Sequence, residues 1–290
     1  MTAPQLPAGA CDCHVHVVAP QVDYPMLADR HYTPGPASAD ALRAHLQRLS
    51  LAHAVIVQPS IYGSDNRLLV HSLLALDGAA RGVAVADDDV ADAELSHLHD
   101  AGVRGVRVNL ESTGASDAAA VSRALSAWAG RLAGQGWHIQ VYASLDAIAS
   151  AAPALARLPV PVVLDHFAMI PARLAQDDAR IRQVLDLVGS GAAYVKLSAS
   201  YRISAAPDDA GEAERVTALA RAFIGRNPER ALWASDWPHT NREPGKQPTE
   251  VSAYRDVPAV RLLREIEAWL PDAALRRQVL AANPATLYGF

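Results

Sequence analysis

Short apolar runs and amphipathic stretches alternate along the whole chain. Eight runs rich in Val, Ile and Leu occupy Ala10–Val17, Ala52–Pro59, Arg81–Ala86, Val103–Leu110, Trp137–Ala143, Val160–His166, Ala193–Ala199 and Ala231–Asp236. Several show almost no polar alternation, the pattern of strands covered on both faces. Helical patterns lie between most of them. Asp40–Leu51 aligns Leu42, Leu46 and Leu49, Asn66–Leu76 aligns Leu69, Leu73 and Leu76, and Ala91–Ala101 aligns Leu95 and Leu98. Ala118–Gln135, Leu145–Leu158, Arg180–Ser190, Glu212–Arg226 and Val260–Leu270 follow. Gly102, Gly136 and Gly191 stand where helices should stop. No repeat of about 20–50 residues and no low-complexity tract stands out.

Eight strand–helix units predict an α/β fold, a single (β/α)8 TIM barrel over residues 1–290. A doubly wound sheet is the weaker alternative, because the first strand-to-helix turn has no Gly-x-Gly-x-x-Gly fingerprint. No Pro/Gly/Ser linker separates two patterned halves. Two long, Pro-rich loops, Val18–Ala39 and Trp237–Val257, fall at the C-terminal face, where active sites of this fold sit.

Composition narrows the function. The 290 residues are 50% hydrophobic and 20% charged, which excludes disorder. A net charge of −5 and a pI of 6.1 provide no basic field, so nucleic acid is not an expected partner. No run of about 18 apolar residues predicts a membrane span. Met1 to Ala10 contains no Lys or Arg and does not read as a secretory signal. The two cysteines, Cys11 and Cys13, are too close for an unstrained bridge along a strand. Buried packing and a cytoplasmic location are expected.

Polar residues with chemistry gather at strand ends. Alternation in the first strand places Asp12, His14 and His16 on one face, and Cys11, Cys13 and Val15 toward the helices. Two imidazoles at i and i+2 can converge on one cation or one substrate, although one core and one exposed histidine is the plainer reading of that spacing alone. His166 tips the sixth run, and Asp236 stands where the eighth stops, followed by His239. An Asp there also suits a loop or helix cap. Three strand ends directed at one barrel mouth favour a functional cluster. Arg107 with Asn109, Gln140 with Tyr142, and Lys196 with Ser198 share faces, and Arg202 lies just beyond. Arg107 or Arg202 suits a carboxylate clamp, and Lys196 suits a carbonyl or a buried Asp. Parity points Asp165 outward, and His53, His71, His97 and His99 read as surface residues.

These residues carry a family resemblance. Asp12-Cys13-His14-Val15-His16, Val163-Leu164-Asp165-His166 and Ser235-Asp236-Trp237-Pro238-His239 resemble the amidohydrolase superfamily. The likeness is to its "amidohydrolase 2" branch of TIM-barrel hydrolases. Tyr32-Thr33-Pro34, Val57-Gln58-Pro59, Gly63-Ser64-Asp65-Asn66, Gly102-Val103-Arg104-Gly105-Val106-Arg107, Val195-Lys196-Leu197-Ser198 and Asn283-Pro284-Ala285-Thr286-Leu287-Tyr288 also match, in order, over nearly the whole chain. Within the branch the chain is similar to the 2-pyrone-4,6-dicarboxylate lactonases and to muconolactone and sugar-lactone hydrolases.

The resemblance implies a lactonase that opens a small carboxylated lactone from aromatic or sugar-acid catabolism. Asp236 would activate water, with His14, His16 and His166 beside it. Tyr32, Arg107, Tyr142 and Arg202 match substrate-contacting positions, and Lys196 and His239 are further substrate candidates. Two more substrate arginines of the lactonase pattern are replaced by Thr113 and Met169, which points to one carboxylate or a more apolar lactone. Members of the branch differ in metal use. His14, His16, His166 and Asp236 would form a site for one divalent ion, and zinc suits those donors. The fifth-strand ligand of typical superfamily members is missing, with Gln140 and Tyr142 offered there. A metal-dependent decarboxylase of an aromatic acid and a non-catalytic organic-acid-binding barrel are the alternatives. A homo-oligomer is left open.

Overall fold

The computed structural model describes residues 5–109, 118–175 and 177–290. In chain order the elements are β1 (Cys11–Val15), β2 (Thr33–Pro34), α1 (Ala39–Leu49), β3 (His53–Val57), α2 (Arg67–Ala75), β4 (Ala80–Ala84) and α3 (Asp92–Asp100). Then come β5 (Val103–Asn109), α4 (Ala118–Leu132), β6 (His138–Tyr142), α5 (Leu145–Leu155), β7 (Val162–Leu164), α6 (Ala179–Gly189) and β8 (Ala193–Ser198). The chain continues through α7 (Ser200–Ile203), α8 (Ala210–Arg226), β9 (Ala231–Ala234), β10 (Val251–Ser252), α9 (Ala259–Trp269), α10 (Ala273–Arg277) and α11 (Asn283–Tyr288). Eight strands pair in parallel in the order β1-β3-β4-β5-β6-β7-β8-β9. The ends meet through a Val15–Trp237 bridge, in which His16 N–H donates to the Trp237 carbonyl at 2.8 Å. The result is the eight-stranded barrel with outer helices that the alternating pattern predicts.

Capping residues fix where the outer helices begin. Ser38 accepts from Ala41 N at the start of α1, Ser144 from Ala147 N at α5, Asp178 from Arg180 N at α6, and Asp209 from Glu212 N at α8. Gly102 and Gly191 take positive φ just past α3 and α6, a conformation in which a side chain would be strained.

Two buried layers follow from strand alternation. Ile56, Ile139, Val141, Leu164, Val195, Leu197 and Trp233 pack outward against the helices. Val55, Val57, Val83, Val163, Tyr194 and Leu232 fill the barrel axis together with Cys11 and Cys13. Leu287 and Tyr288 of α11 join this axial cluster, and Phe290 packs against it. His138 meets Tyr288 edge-on at 5.2 Å, and Arg81 donates to the Gly289 carbonyl at 2.7 Å. The last residues therefore floor the end of the barrel opposite its mouth. That terminal helical run went unread in the apolar pattern, although its motif was legible.

The first strand departs from simple alternation. Cys11 and Asp12 pair with His53 and Ala54, whereas Val15 pairs with Ile56, so β1 carries one extra residue between Asp12 and Val15. Both cysteines, free and buried, consequently face the axis and not the helices. Asp12 turns outward, accepting from Ser235 N at 2.9 Å and meeting His45 Nε2 at 3.2 Å. The bulge restores His14 and His16 to the inner face, so the expectation holds for the histidines and fails for Asp12 and the cysteines.

The two long loops are joined to each other. β2 and β10 pair in parallel, Val251 with Thr33 and Ser252 with Pro34. Thr33 Oγ1 donates to the Pro248 carbonyl at 2.7 Å, and Tyr254 Oη donates to the Gly35 carbonyl. This clip fixes residues on either side of the mouth.

Candidate active site

Three imidazoles close around one carboxylate oxygen at the mouth. His14 Nε2, His16 Nε2 and His166 Nε2 lie 3.7, 3.6 and 3.9 Å from Asp236 Oδ1. The two strand-one rings approach each other to 3.3 Å between Nε2 atoms. Asp236 Oδ1 is fully buried with no hydrogen-bond partner among the described residues. The other oxygen, Oδ2, accepts from Tyr201 Oη at 2.7 Å and from Arg202 Nε at 2.9 Å. Burial alone would raise the Asp236 pKa, but the Arg202 guanidinium beside it outweighs burial and holds the carboxyl well below its usual range.

Each ring is oriented by its other nitrogen. His16 Nδ1 lies 2.7 Å from the Val57 carbonyl, which only accepts, so Nδ1 carries the proton and Nε2 offers a lone pair. His14 Nδ1 faces Asp165 Oδ1 at 3.2 Å, and His166 Nδ1 faces Ser198 Oγ at 2.9 Å. Burial lowers the His14 pKa well below normal and that of His166 to about 3, leaving both rings neutral. His14, His166 and Asp236 offer donor atoms within 4.8 Å of one another. The His16 lone pair and two further imidazole nitrogens beside an anionic oxygen that has no donor among the described residues form an arrangement a cation would complete. The donor set therefore fits a divalent metal.

Backbone geometry brings these groups together. Asp236 and His239 have φ of 64° and 68°, and His166, Phe167, Ala168 and Met169 form a left-handed turn with φ between 47° and 56°. Such values are costly for residues with a Cβ and cluster at functional sites. The turn swings His166 inward directly after β7. Asp165, expected outward, also faces the axis, because it lies two residues after the inward Val163.

Asp165 anchors a buried charged layer beneath the mouth. Its Oδ2 accepts from Arg107 Nε and Nη2, both at 3.2 Å, and from Gln140 Nε2 at 3.1 Å. Lys196 Nζ lies 3.6 Å from Asp165 Oδ1 and donates to Gln140 Oε1 at 2.6 Å. Burial opposes ionisation of Asp165, yet the neighbouring Lys196 and Arg107 cations push its pKa well down. Burial pulls the Lys196 pKa down against the attraction of Asp165.

A cavity of about 460 Å³ opens above this layer, lined in part by His16, Tyr32, Arg107, Tyr142, His166 and Arg202. All of these were expected site residues. Lys196 and His239 are not among its lining residues. Lys196 lies fully buried against Asp165, and His239 is buried 6.2 Å from Tyr201, where burial lowers its pKa to about 4. Met169 does not line the cavity, and Thr113 lies outside the described residues. His31, Thr240 and Arg242 line it too and were not anticipated. They sit on the two long loops, which carry no periodic signal. Tyr201, beside the predicted Arg202, was also missed, because it sits in the four-residue helix α7, too short to carry a period.

Comparison with known proteins agrees with this geometry. The chain is 33% identical to the 2-pyrone-4,6-dicarboxylate hydrolase of Comamonas testosteroni, over 98% of this chain and 91% of that protein. It is 29% identical to the 4-sulfomuconolactone hydrolase of Rhizobium radiobacter, with the same coverage of 98% and 91%. A Pseudomonas putida structure, provisionally assigned as a 2-pyrone-4,6-dicarboxylic acid hydrolase, superposes with a TM-score of 0.79 at 30% identity, over 98% of each chain. The amidohydrolase family model matches residues 11–290, and the chain belongs to that family.

Proposed function

We propose that this protein hydrolyses the lactone ring of a small carboxylated compound, with Asp236 activating the attacking water. One observation carries the reading: a buried carboxylate oxygen of Asp236, without a donor among the described residues and ringed by three histidines, beside a cavity whose walls bear arginines. The similarity to two lactone-ring hydrolases supports it.

Asp236 takes a proton from water as the water oxygen bonds to the lactone carbonyl carbon. Arg107 and Arg202 stand at the cavity wall, where one fixes a substrate carboxylate and the other meets charge developing on the carbonyl oxygen. The ester C–O bond then breaks, and Asp236 returns its proton to the departing ring oxygen. The products are one carboxylic acid, which ionises to a carboxylate and releases a proton to solvent, and one hydroxyl or enol on the same molecule. His14, His16, His166 and Asp236 would hold one divalent ion, zinc by donor type, and bound there it would supply Lewis acidity toward the carbonyl.

Proton release on carboxylated muconolactones, pyrone carboxylates and sugar lactones tests this reading. Ring opening without carbon dioxide is expected. Carbon dioxide release from aromatic acids would establish a decarboxylase instead, and silence on every lactone would remove hydrolysis.

A further inference from the structure

Asp12 is buried behind the strand ends that carry the site, turned outward by the extra residue in β1. Its Oδ1 accepts from Ser235 N at 2.9 Å and from His14 N at 3.4 Å. One oxygen thus bridges the residue before Asp236 and the residue that bears the first imidazole. Ser235 Oγ accepts in turn from Trp237 N at 2.9 Å, spanning Asp236. His45 of α1 backs this arrangement. Its Nε2 lies 3.2 Å from Asp12 Oδ2 and 3.4 Å from Ser235 Oγ, and its ring stacks on Trp237 at 5.6 Å between centroids. Asp12, His45 and Ser235 are all buried and are not among the residues lining the cavity. The residue they enclose, Asp236, has a φ of 64°, a conformation that persists only where the surroundings hold it.

We infer that Asp12 and Ser235 are positioning residues for Asp236: they clamp the turn on either side of it and so aim its Oδ1 at the three histidines. This rests on the lactone reading, in which Asp236 is the base. A displacement of about 1 Å in a reacting group can lose about 10²-fold in rate. An acid that never touches substrate therefore governs turnover through the backbone it holds, while substrate affinity stays with the cavity wall. The bulge makes this possible, because it sends Asp12 backward to the turn and His14 forward to the mouth from positions two apart.

Crystal structures and steady-state kinetics of the wild type, Asp12→Ala, Ser235→Ala and Ser235→Thr test the clamp. In both alanine variants Asp236 Oδ1 should leave its place beside His16 Nε2 by about 1 Å. On a lactone that the wild type opens, kcat should fall by about 10–100-fold and KM change by less than about twofold. Ser235→Thr keeps the accepting oxygen and should restore turnover to within about threefold of the wild type. Ser235→Ala deletes one buried oxygen and keeps the test open should Asp12→Ala fail to fold. An Asp236 that stays in place in either folded alanine variant overturns the inference, as does one displaced without loss of turnover. So does a fall in kcat that threonine does not restore, or one accompanied by an equal rise in KM. Lactone turnover by the wild type with Asp236 unmoved in the variants removes the clamp alone. A displaced Asp236 in a protein that opens no lactone keeps the clamp and removes the hydrolase reading.

Discussion

Asp236 spends its two oxygens on different tasks: Oδ2 is clamped by Tyr201 and Arg202, and Oδ1 is left facing the histidines. Asp236→Asn keeps the shape and removes the base. It should lower kcat by about 10²–10⁴-fold on any lactone the wild type turns over, with product affinity little changed. Near wild-type turnover would refute the role. Asp165→Asn removes the countercharge of buried Lys196 and Arg107, and stability should fall by about 3–5 kcal/mol, read as a lower Tm. A variant as stable as the wild type would show that the layer is not held together by charge. Tyr288→Phe should move the other way, because its buried Oη has no partner among the described residues. Removing that hydroxyl should leave Tm unchanged or raise stability by about 1 kcal/mol. At this scale His14, His16, His166 and Asp236 were legible because strand period and strand ends place them. The directions of Asp12 and Asp165 were not. Periodicity counts residues and cannot see an inserted one, and it gives no phase once the strand end is misplaced.

All eight barrel strands were legible as elements, because burial on both faces leaves a continuous apolar signature. The β2–β10 clip was not, since two-residue strands carry no period. Within the elements, two glycines make opposite predictions. A Cβ on Gly105, inside β5, would lie 2.4 Å from the His138 ring, whereas one on Gly130, on the exposed face of α4, meets nothing within 4 Å. Gly105→Ala should therefore destabilise by about 1–3 kcal/mol through overpacking. Gly130→Ala should stabilise by close to ~1 kcal/mol through helix propensity. Thermal melts of the two variants should shift in opposite directions; a rise in both would mean that β5 yields to the added methyl, and a fall in both would refute the helix-propensity gain at Gly130.

The whole molecule divides into a mouth that carries the chemistry and a floor that closes the axis. Among the described residues no helix is long and apolar enough to cross a membrane. If the histidine cluster holds zinc, the folded state alone presents those four donors together. Adding zinc at about 1,000 times its Kd to chelator-treated protein should then raise stability by about 4 kcal/mol, and His166→Ala should abolish the shift. A Tm indifferent to zinc in both proteins would count against a bound ion. The barrel as a whole was readable from alternation alone, but its floor was not, because Leu287, Tyr288 and Phe290 lie far in sequence from the strands they cover. That distance has a consequence for folding. Cys11 and Cys13 share their axial cluster with Leu287 and Tyr288, so this part of the packing forms only when segments far apart in sequence meet. Contacts of such high sequence separation are slow to form, and until they do the apolar bore of the barrel lies uncovered on that side.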